Sequence, residues 1–234
     1  MKKLDKKFFE RDTLFVVKDL LGKYLVRELK VKRKKKKVFV GKIVETEAYI
    51  GEDDLACHAS KGRTNRTEMM YGEAGHAYVY MIYGMYHCLN IVTEKEGFPA
   101  AVLIRAIEPI LDDVPVQDLK KMGSGPGKLC RWMEIDRGLN GADVTKSEEL
   151  YITDKLPPNC HSRESGNPEN TVNEVGPRIP PTQTATERTG KSEDDKGENL
   201  DIVEAKRVGI DYAKYCADHP WRFYIKDNSF ISKK

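Results

Sequence analysis

The chain has 234 residues, 39% hydrophobic and 33% charged, enough to bury a sizeable core under a strongly charged surface. Its 40 basic and 37 acidic residues nearly cancel, so the net charge of +3 does not by itself point to nucleic acid. No apolar run approaches the roughly 20 residues that span a bilayer, and no apolar signal segment follows the basic stretch 1–10, which predicts an intracellular protein.

Five cysteines at irregular spacing fit reduced thiols better than a disulfide framework. Three adjoin histidines, at Cys57-His58, His87-Cys88 and Cys160-His161, but no CxxC or HExxH spacing accompanies them. Adjacent side chains on an extended chain point opposite ways, so no metal site is expected.

Taken in order, Asp12-Thr13 reads as a helix N-cap, Leu14, Val17 and Leu21 recur at helical spacing, and Gly22 stands where a C-terminal cap belongs. Tyr24 to Leu29 and Val38 to Glu45 read as strands. Between them lie residues 30–37, seven of eight basic, which suit a solvated hairpin tip, a phosphate-contacting finger or a nuclear address. The tip is the simplest of these.

The stretch Gly41 to Pro109 organises the rest. A strand's period of two over Val44-Glu45-Thr46-Glu47-Ala48-Tyr49-Ile50 puts Glu45, Glu47 and Tyr49 on one face, and Val44, Thr46, Ala48 and Ile50 on the other. A solvated edge would explain the acids but not the aromatic in line with them. Residues 50–70 form a long polar loop of the kind that usually carries function. From Gly75 to Val92, aromatic and β-branched residues flank Tyr83-Gly84, which predicts two strands meeting there with Tyr83 exposed as a wedge or stacking platform. Tyr78 and Tyr86 suit either core or site. Ala100 to Ile107 reads as a buried strand whose Arg105 needs an anion, and Glu47 is a candidate.

Gly123-Ser124-Gly125-Pro126-Gly127-Lys128 lacks the GxxxxGK[ST] order after a strand, which excludes a nucleotide-hydrolysing loop, and a helix follows it through Met133. A turn offering N–H groups and Lys128 to a phosphodiester stays open. Residues 159–199 hold only Cys160, Val172, Val175, Ile179 and Ala185 as hydrophobic residues, too few to offset the entropy of ordering, so a disordered insertion is expected. After it, Ala205 to Ile210 and Trp221 to Ile225 read as strands returning to the main sheet. The expected organisation is one domain, 1–158 and 200–234, interrupted by that insertion.

Ile43-Val44-Glu45-Thr46-Glu47-Ala48-Tyr49, Ala56-Cys57-His58, Arg63-Thr64-Asn65-Arg66-Thr67-Glu68, Gly75-His76-Ala77-Tyr78-Val79-Tyr80, Ile82-Tyr83-Gly84-Met85-Tyr86 and Leu103-Ile104-Arg105-Ala106-Ile107-Glu108-Pro109 together resemble the alkyladenine (3-methyladenine, methylpurine) DNA glycosylase family. Gly125-Pro126-Gly127-Lys128-Leu129 and Arg222-Phe223-Tyr224 extend the resemblance over nearly the whole chain outside 159–199 and the lysine-rich tip.

The resemblance implies a single mixed α+β domain with a curved antiparallel sheet and surrounding helices. It implies a DNA repair hydrolase that flips alkylated purines, and by extension hypoxanthine, out of the duplex and cleaves the N-glycosidic bond. On the matching positions, Glu47 resembles the base that activates water and Arg105 helps hold that water. Tyr49 on one side, with His58 and Tyr80 on the other, would sandwich the base, Asn90 would clash with the exocyclic amine of guanine, and Tyr83 would fill the vacated stack. No lysine stands in the pocket motifs, which points to a monofunctional enzyme that leaves an abasic site rather than a Schiff-base lyase.

Glu45, roughly 6.6 Å from Glu47 along the strand, leaves a two-carboxylate mechanism geometrically open, but an outer salt-bridge or hydrogen-bond role is the simpler one. The expected partner is double-stranded DNA bearing damaged purines, met by a monomer without cofactor or metal, cytoplasmic and nucleoid-associated in a bacterium or nuclear in a eukaryote. Two other functions fit the residues less well: a non-catalytic damage-binding or architectural minor-groove protein using Tyr83 as its wedge, and a hydrolase of free nucleosides or RNA that would dispense with Tyr83.

Overall fold

The computed structural model describes residues 2–30, 36–158 and 200–233. Residues 31–35 of the basic run, Cys160-His161 and the 159–199 insertion lie outside the described residues. Two short helices open the chain, α1 (Lys6–Phe9) and α2 (Thr13–Asp19), each started by an aspartate whose side chain accepts a backbone N–H: Asp5 from Phe8 and Asp12 from Leu14. Of the residues at helical spacing Val17 and Leu21 are buried and Leu14 is half-buried, while Val16 and Leu20 complete the buried stripe.

Strands β1 (Tyr24–Leu29), β2 (Lys37–Ile50), β3 (Ala77–Ile82), β4 (Tyr86–Val92), β5 (Ala100–Pro109) and β6 (Leu150–Thr153) form an antiparallel sheet in the order β3-β4-β5-β2-β1-β6. β7 (Ile202–Ala205) and β8 (Arg222–Ile225) join it through β8, which pairs with the second half of β2 while β1 pairs with the first half. The return of the distal strands to the main sheet thus holds, but the first of them is Ile202–Ala205 rather than Ala205 to Ile210. Residues 206–210 leave the sheet: the Val208 N–H turns to a side-chain carboxylate rather than to a neighbouring strand, and Gly209 takes φ +77°. Helices α3 (Val116–Gly123) and α4 (Pro126–Trp132) follow β5, so the glycine-rich turn is the entry to α4. Pro126 supplies a pre-set φ at the helix start, and a Cβ on Gly127 would lie 3.0–3.1 Å from the Tyr86 side chain, so glycine lets α4 close on β4. The whole is a mixed α+β fold with a curled antiparallel sheet.

One irregularity sets which side chains reach the interior around Glu47. Pairing of β2 with β5 shifts twice: Val44 drops out between Ile43↔Ile107 and Glu45↔Ala106, and Arg105 drops out between Glu45↔Ala106 and Thr46↔Ile104. A bulge of this kind changes which face a residue presents. Upstream of it Ile43 points into the main core; downstream Ala48 does so, and Thr46 on the same face donates its hydroxyl to the Val17 carbonyl at 2.9 Å. Val44 therefore does not share the face of Thr46 and Ala48, as strict alternation predicts, but packs with Ala106, Leu119 and Phe230. Glu45, Glu47 and Tyr49 do keep a common face, and Arg105 is turned onto it.

Candidate active site

Glu45 and Glu47 are both fully buried. Glu47 Oε1 accepts the Val208 backbone N–H at 2.8 Å, and Oε2 accepts the Tyr49 hydroxyl at 2.9 Å and Arg105 Nη1 at 3.3 Å. A carboxylate has about four acceptor positions, so one remains. Burial pushes the Glu47 carboxyl above its usual range, and Arg105, the Val208 N–H and the Tyr49 hydroxyl oppose that push without cancelling it. The Tyr49 phenol is raised in turn, first by burial and then by Glu47, so it stays protonated and donates.

Behind this pair lies a second layer. Glu45 Oε1 meets Arg222 Nη1 at 2.9 Å and Arg105 Nε at 3.3 Å, while Oε2 accepts the Ser232 N–H at 2.6 Å. Arg105 Nε also donates to Ser232 Oγ at 2.9 Å. Two carboxylates and two guanidinium groups thus neutralise one another inside the protein, which is what makes burial of four charges tolerable.

In front of the carboxylates opens a cavity of about 640 Å³, within the range of small-molecule sites. Tyr49, Arg105 and Val208, the three donors to Glu47, all line it, so Glu47 stands one hydrogen bond behind its wall. His58, Tyr80, Asn90 and Tyr83 line it as well, so every candidate site residue except Glu47 stands on the cavity wall itself. The long loop 50–76 carries one wall and is held by its own bonds: Thr67 Oγ1 donates to the Gly62 carbonyl at 2.9 Å and accepts the Thr64 N–H at 2.8 Å. Beneath it Cys57, Met70, Tyr71 and Tyr78 form a separate apolar cluster that backs Tyr49 and Tyr80.

The aromatic wall is edge-packed, with the His58 and Tyr80 rings 4.6 Å apart at 72°. Arg66 Nη2 lies 3.3 Å from His58 Nε2, and since a guanidinium only donates, Nε2 accepts and Nδ1–H donates to the Tyr78 hydroxyl at 2.9 Å. Burial, with help from Arg66 and Lys61, pushes the His58 pKa down to about 4, so the ring is neutral near pH 7. Tyr78 is buried and belongs to the core as well as the cavity, whereas Tyr86 is half-buried beneath α4. Asn90 is buried with its Nδ2 donating to the Tyr78 carbonyl at 3.1 Å, which leaves its Oδ1 free of that bond.

Tyr83 stands at the opposite extreme, 87% exposed at the tip between β3 and β4. It and Gly84 both have positive φ, 51° and 69°, and the Met85 N–H closes the turn on the Ile82 carbonyl at 3.2 Å. Met81 and Met85 flank it in the open, making an apolar tip on the rim of the cavity.

Several contributors are not among the residues that the sequence singles out for the site. Arg207 and Asp54 form a buried pair, and the Arg207 guanidinium lies 4.9 Å from the Tyr49 ring centroid, supporting that ring from behind. Arg207 and Arg222 each stand beside apolar residues, the same signal that made Arg105 conspicuous. Val208 acts through its backbone and Tyr212 through its place on the rim; neither has a signal in residue type. Among the described residues no lysine lines the cavity, no cluster of metal-ligating side chains occurs, and no helix is long and apolar enough to cross a membrane.

Known proteins match this chain along nearly its whole length. A family model described as methylpurine-DNA glycosylase matches residues 7–186. A Methanocella arvoryzae protein named "Putative 3-methyladenine DNA glycosylase" is 45% identical, covering 99% of this chain and 96% of its own. Proteins of the same name from Legionella pneumophila, at 43% identity over the full length of both chains, and from Alkaliphilus oremlandii, at 42% over 99% of this chain and all of its own, are similar too. The chain is a DNA glycosylase belonging to the methylpurine-DNA glycosylase family.

Proposed function

We propose that this protein removes alkylated purines from double-stranded DNA, working as a monomer without a cofactor, by flipping the base into the 640 Å³ cavity and hydrolysing its N-glycosidic bond. The observation that carries the reading is the Glu47 carboxylate: fully buried, held by three donors that line the cavity, with one acceptor position left for a water.

Glu47 takes a proton from that water as its oxygen bonds to C1′ of the sugar, and the electron pair of the C1′–N bond leaves with the purine. A cationic alkylated purine departs neutral and needs no proton. Arg105 fixes the Glu47 carboxylate and the water beside it. The anionic Glu47 also favours the positive charge that develops on the sugar, an effect strengthened by exclusion of solvent. The face of Tyr49 and those of His58 and Tyr80 sandwich the flipped base, returning about 1–3 kcal/mol per stacked base against a flipping cost of a few kcal/mol. A neutral His58 and the π faces accept a cationic base better than an imidazolium would. Tyr83 enters the vacated stack from the minor groove, and Asn90 opposes the 2-amino group of guanine.

The test is incubation with one duplex carrying a single alkylated purine and another carrying hypoxanthine, followed by alkali. Strand scission that requires alkali supports a monofunctional glycosylase and ranks the two substrate classes. Tight binding with no abasic product from either duplex would instead favour a protein that only binds damage.

A further inference from the structure

We propose, resting on the function above, that Glu45 and Ser232 are positioning residues that lock the Arg105 guanidinium against Glu47. Arg105 reaches Glu47 with one nitrogen only, Nη1 at 3.3 Å, which leaves the rest of the guanidinium to be held from elsewhere. Its Nε donates to Ser232 Oγ at 2.9 Å, and Glu45 Oε1 adds an ion-pair contact to the same nitrogen at 3.3 Å. Glu45 is itself immobile, accepting the Ser232 N–H at 2.6 Å and Arg222 Nη1 at 2.9 Å, and Arg222 in turn donates to the Lys206 and Lys233 carbonyls at 3.0 and 2.7 Å. Neither Glu45 nor Ser232 lines the cavity, and each reaches its wall through Arg105.

The segment carrying Ser232 is pinned at the bulge that frees Arg105. Phe230 is buried against Val44 and Ala106, its N–H bonded to Asn228 Oδ1 at 2.8 Å, and Asn228 Nδ2 donates to Glu108 on β5 at 3.3 Å. The irregular pairing that would leave Arg105 without a neighbour on β2 is therefore filled by a strap that supplies one acceptor for its Nε. This assigns Glu45 a task distinct from a second catalytic carboxylate: of its partners Arg222, Arg105 and Ser232 only Arg105 lines the cavity, whereas all three donors to Glu47 do.

Two readouts separate this proposal from the function on which it rests. The first is single-turnover excision at saturating enzyme. Ser232→Ala, which removes only the Oγ acceptor and keeps the N–H to Glu45, is expected to lower the excision rate five- to tenfold with duplex Kd unchanged, and Ser232→Thr to restore it. An unchanged rate in Ser232→Ala, a loss that appears in Kd instead, or a Thr variant as slow as Ala would overturn the proposal. So would a Glu45→Gln protein as inactive as Glu47→Gln, since that would make Glu45 chemical rather than positioning. The second needs no substrate: the Arg105 Nε–H resonance, assigned by its loss in Arg105→Lys, is expected to exchange slowly with solvent in the unsubstituted protein and at least tenfold faster in Ser232→Ala. Equal exchange in both contradicts the lock even if no purine is excised.

Discussion

The Tyr49 hydroxyl donates to Glu47 Oε2 at 2.9 Å from two residues further along the same strand. One residue thus presents a ring to the cavity and tunes the carboxylate behind it. Removing the hydroxyl separates the two tasks. Tyr49→Phe keeps the ring but deletes a donor that lowers the Glu47 pKa, so the already raised pKa climbs further and less of the ionised base is present in acid. The excision rate should fall more at pH 6 than at pH 8, with duplex affinity preserved. Equal losses at both pH values would show that the hydroxyl does not act through Glu47.

His58 titrates far below its ordinary value, at about 4, because it is half-buried and faces Arg66. A histidine whose folded pKa is depressed contributes stability above the unfolded value near 6.5 and loses it as pH falls toward 4. The melting temperature should therefore decline over that window, and His58→Gln should flatten the decline. Replacing Arg66 with glutamine removes a cation that lowers the pKa, so the His58 ring resonances should titrate at higher pH in Arg66→Gln. A His58 midpoint near 6.5 in the unsubstituted protein would contradict the burial that the geometry describes.

Tyr83 holds φ 51°, a left-handed conformation that costs a bulky residue roughly 1–2 kcal/mol and that asparagine tolerates better. With 87% of it exposed, no packing offsets that cost. Tyr83→Asn should raise the melting temperature slightly while weakening binding to a damaged duplex about tenfold, the lower end of the ~1–3 kcal/mol for a lost aromatic–base contact. A Tyr83→Asn protein that bound damaged duplex as tightly as the parent would remove Tyr83 from the DNA contact.

Asp54 and Arg207 form the one two-pronged ion pair among the described residues with both side chains wholly buried, Nη1 2.5 Å from Oδ2 and Nη2 2.8 Å from Oδ1, and Arg207 also donates to the Ala48 and Cys216 carbonyls. Removing one partner strands the other, at about 3–5 kcal/mol. Arg207→Met should unfold at markedly lower denaturant, and Arg207→Met with Asp54→Asn should recover part of the loss, because the second change removes the stranded charge. A single variant as stable as the parent would mean that solvent reaches Asp54.

These residues also show which features a sequence makes legible. The period of two put Glu47 and Tyr49 on one face, Tyr83-Gly84 marked its turn through the conformation glycine permits, and an arginine in an apolar run demanded an anion. Each of these is a local rule. Val44 escaped because a bulge depends on how β5 pairs with β2, which no single strand encodes. Val208 escaped because every residue but proline carries an N–H, so a backbone donor leaves no trace in residue type. Arg207, Ser232 and Arg222 escaped because their partners lie more than 120 positions away, across a segment whose composition hides where the chain re-enters the sheet.

The most direct measurement is single-turnover excision of an alkylated purine from duplex DNA by Glu47→Gln, made alongside its duplex Kd and its melting temperature. Because burial raises the Glu47 pKa in the folded protein, the stability it contributes is present in acid and lost as pH rises through that value, so the melting temperature of Glu47→Gln relative to the parent should rise with pH. The expected result is a folded protein that binds the damaged duplex with parental affinity and releases no base. Excision by Glu47→Gln at the parental rate would contradict the assignment of Glu47 as the base that activates water.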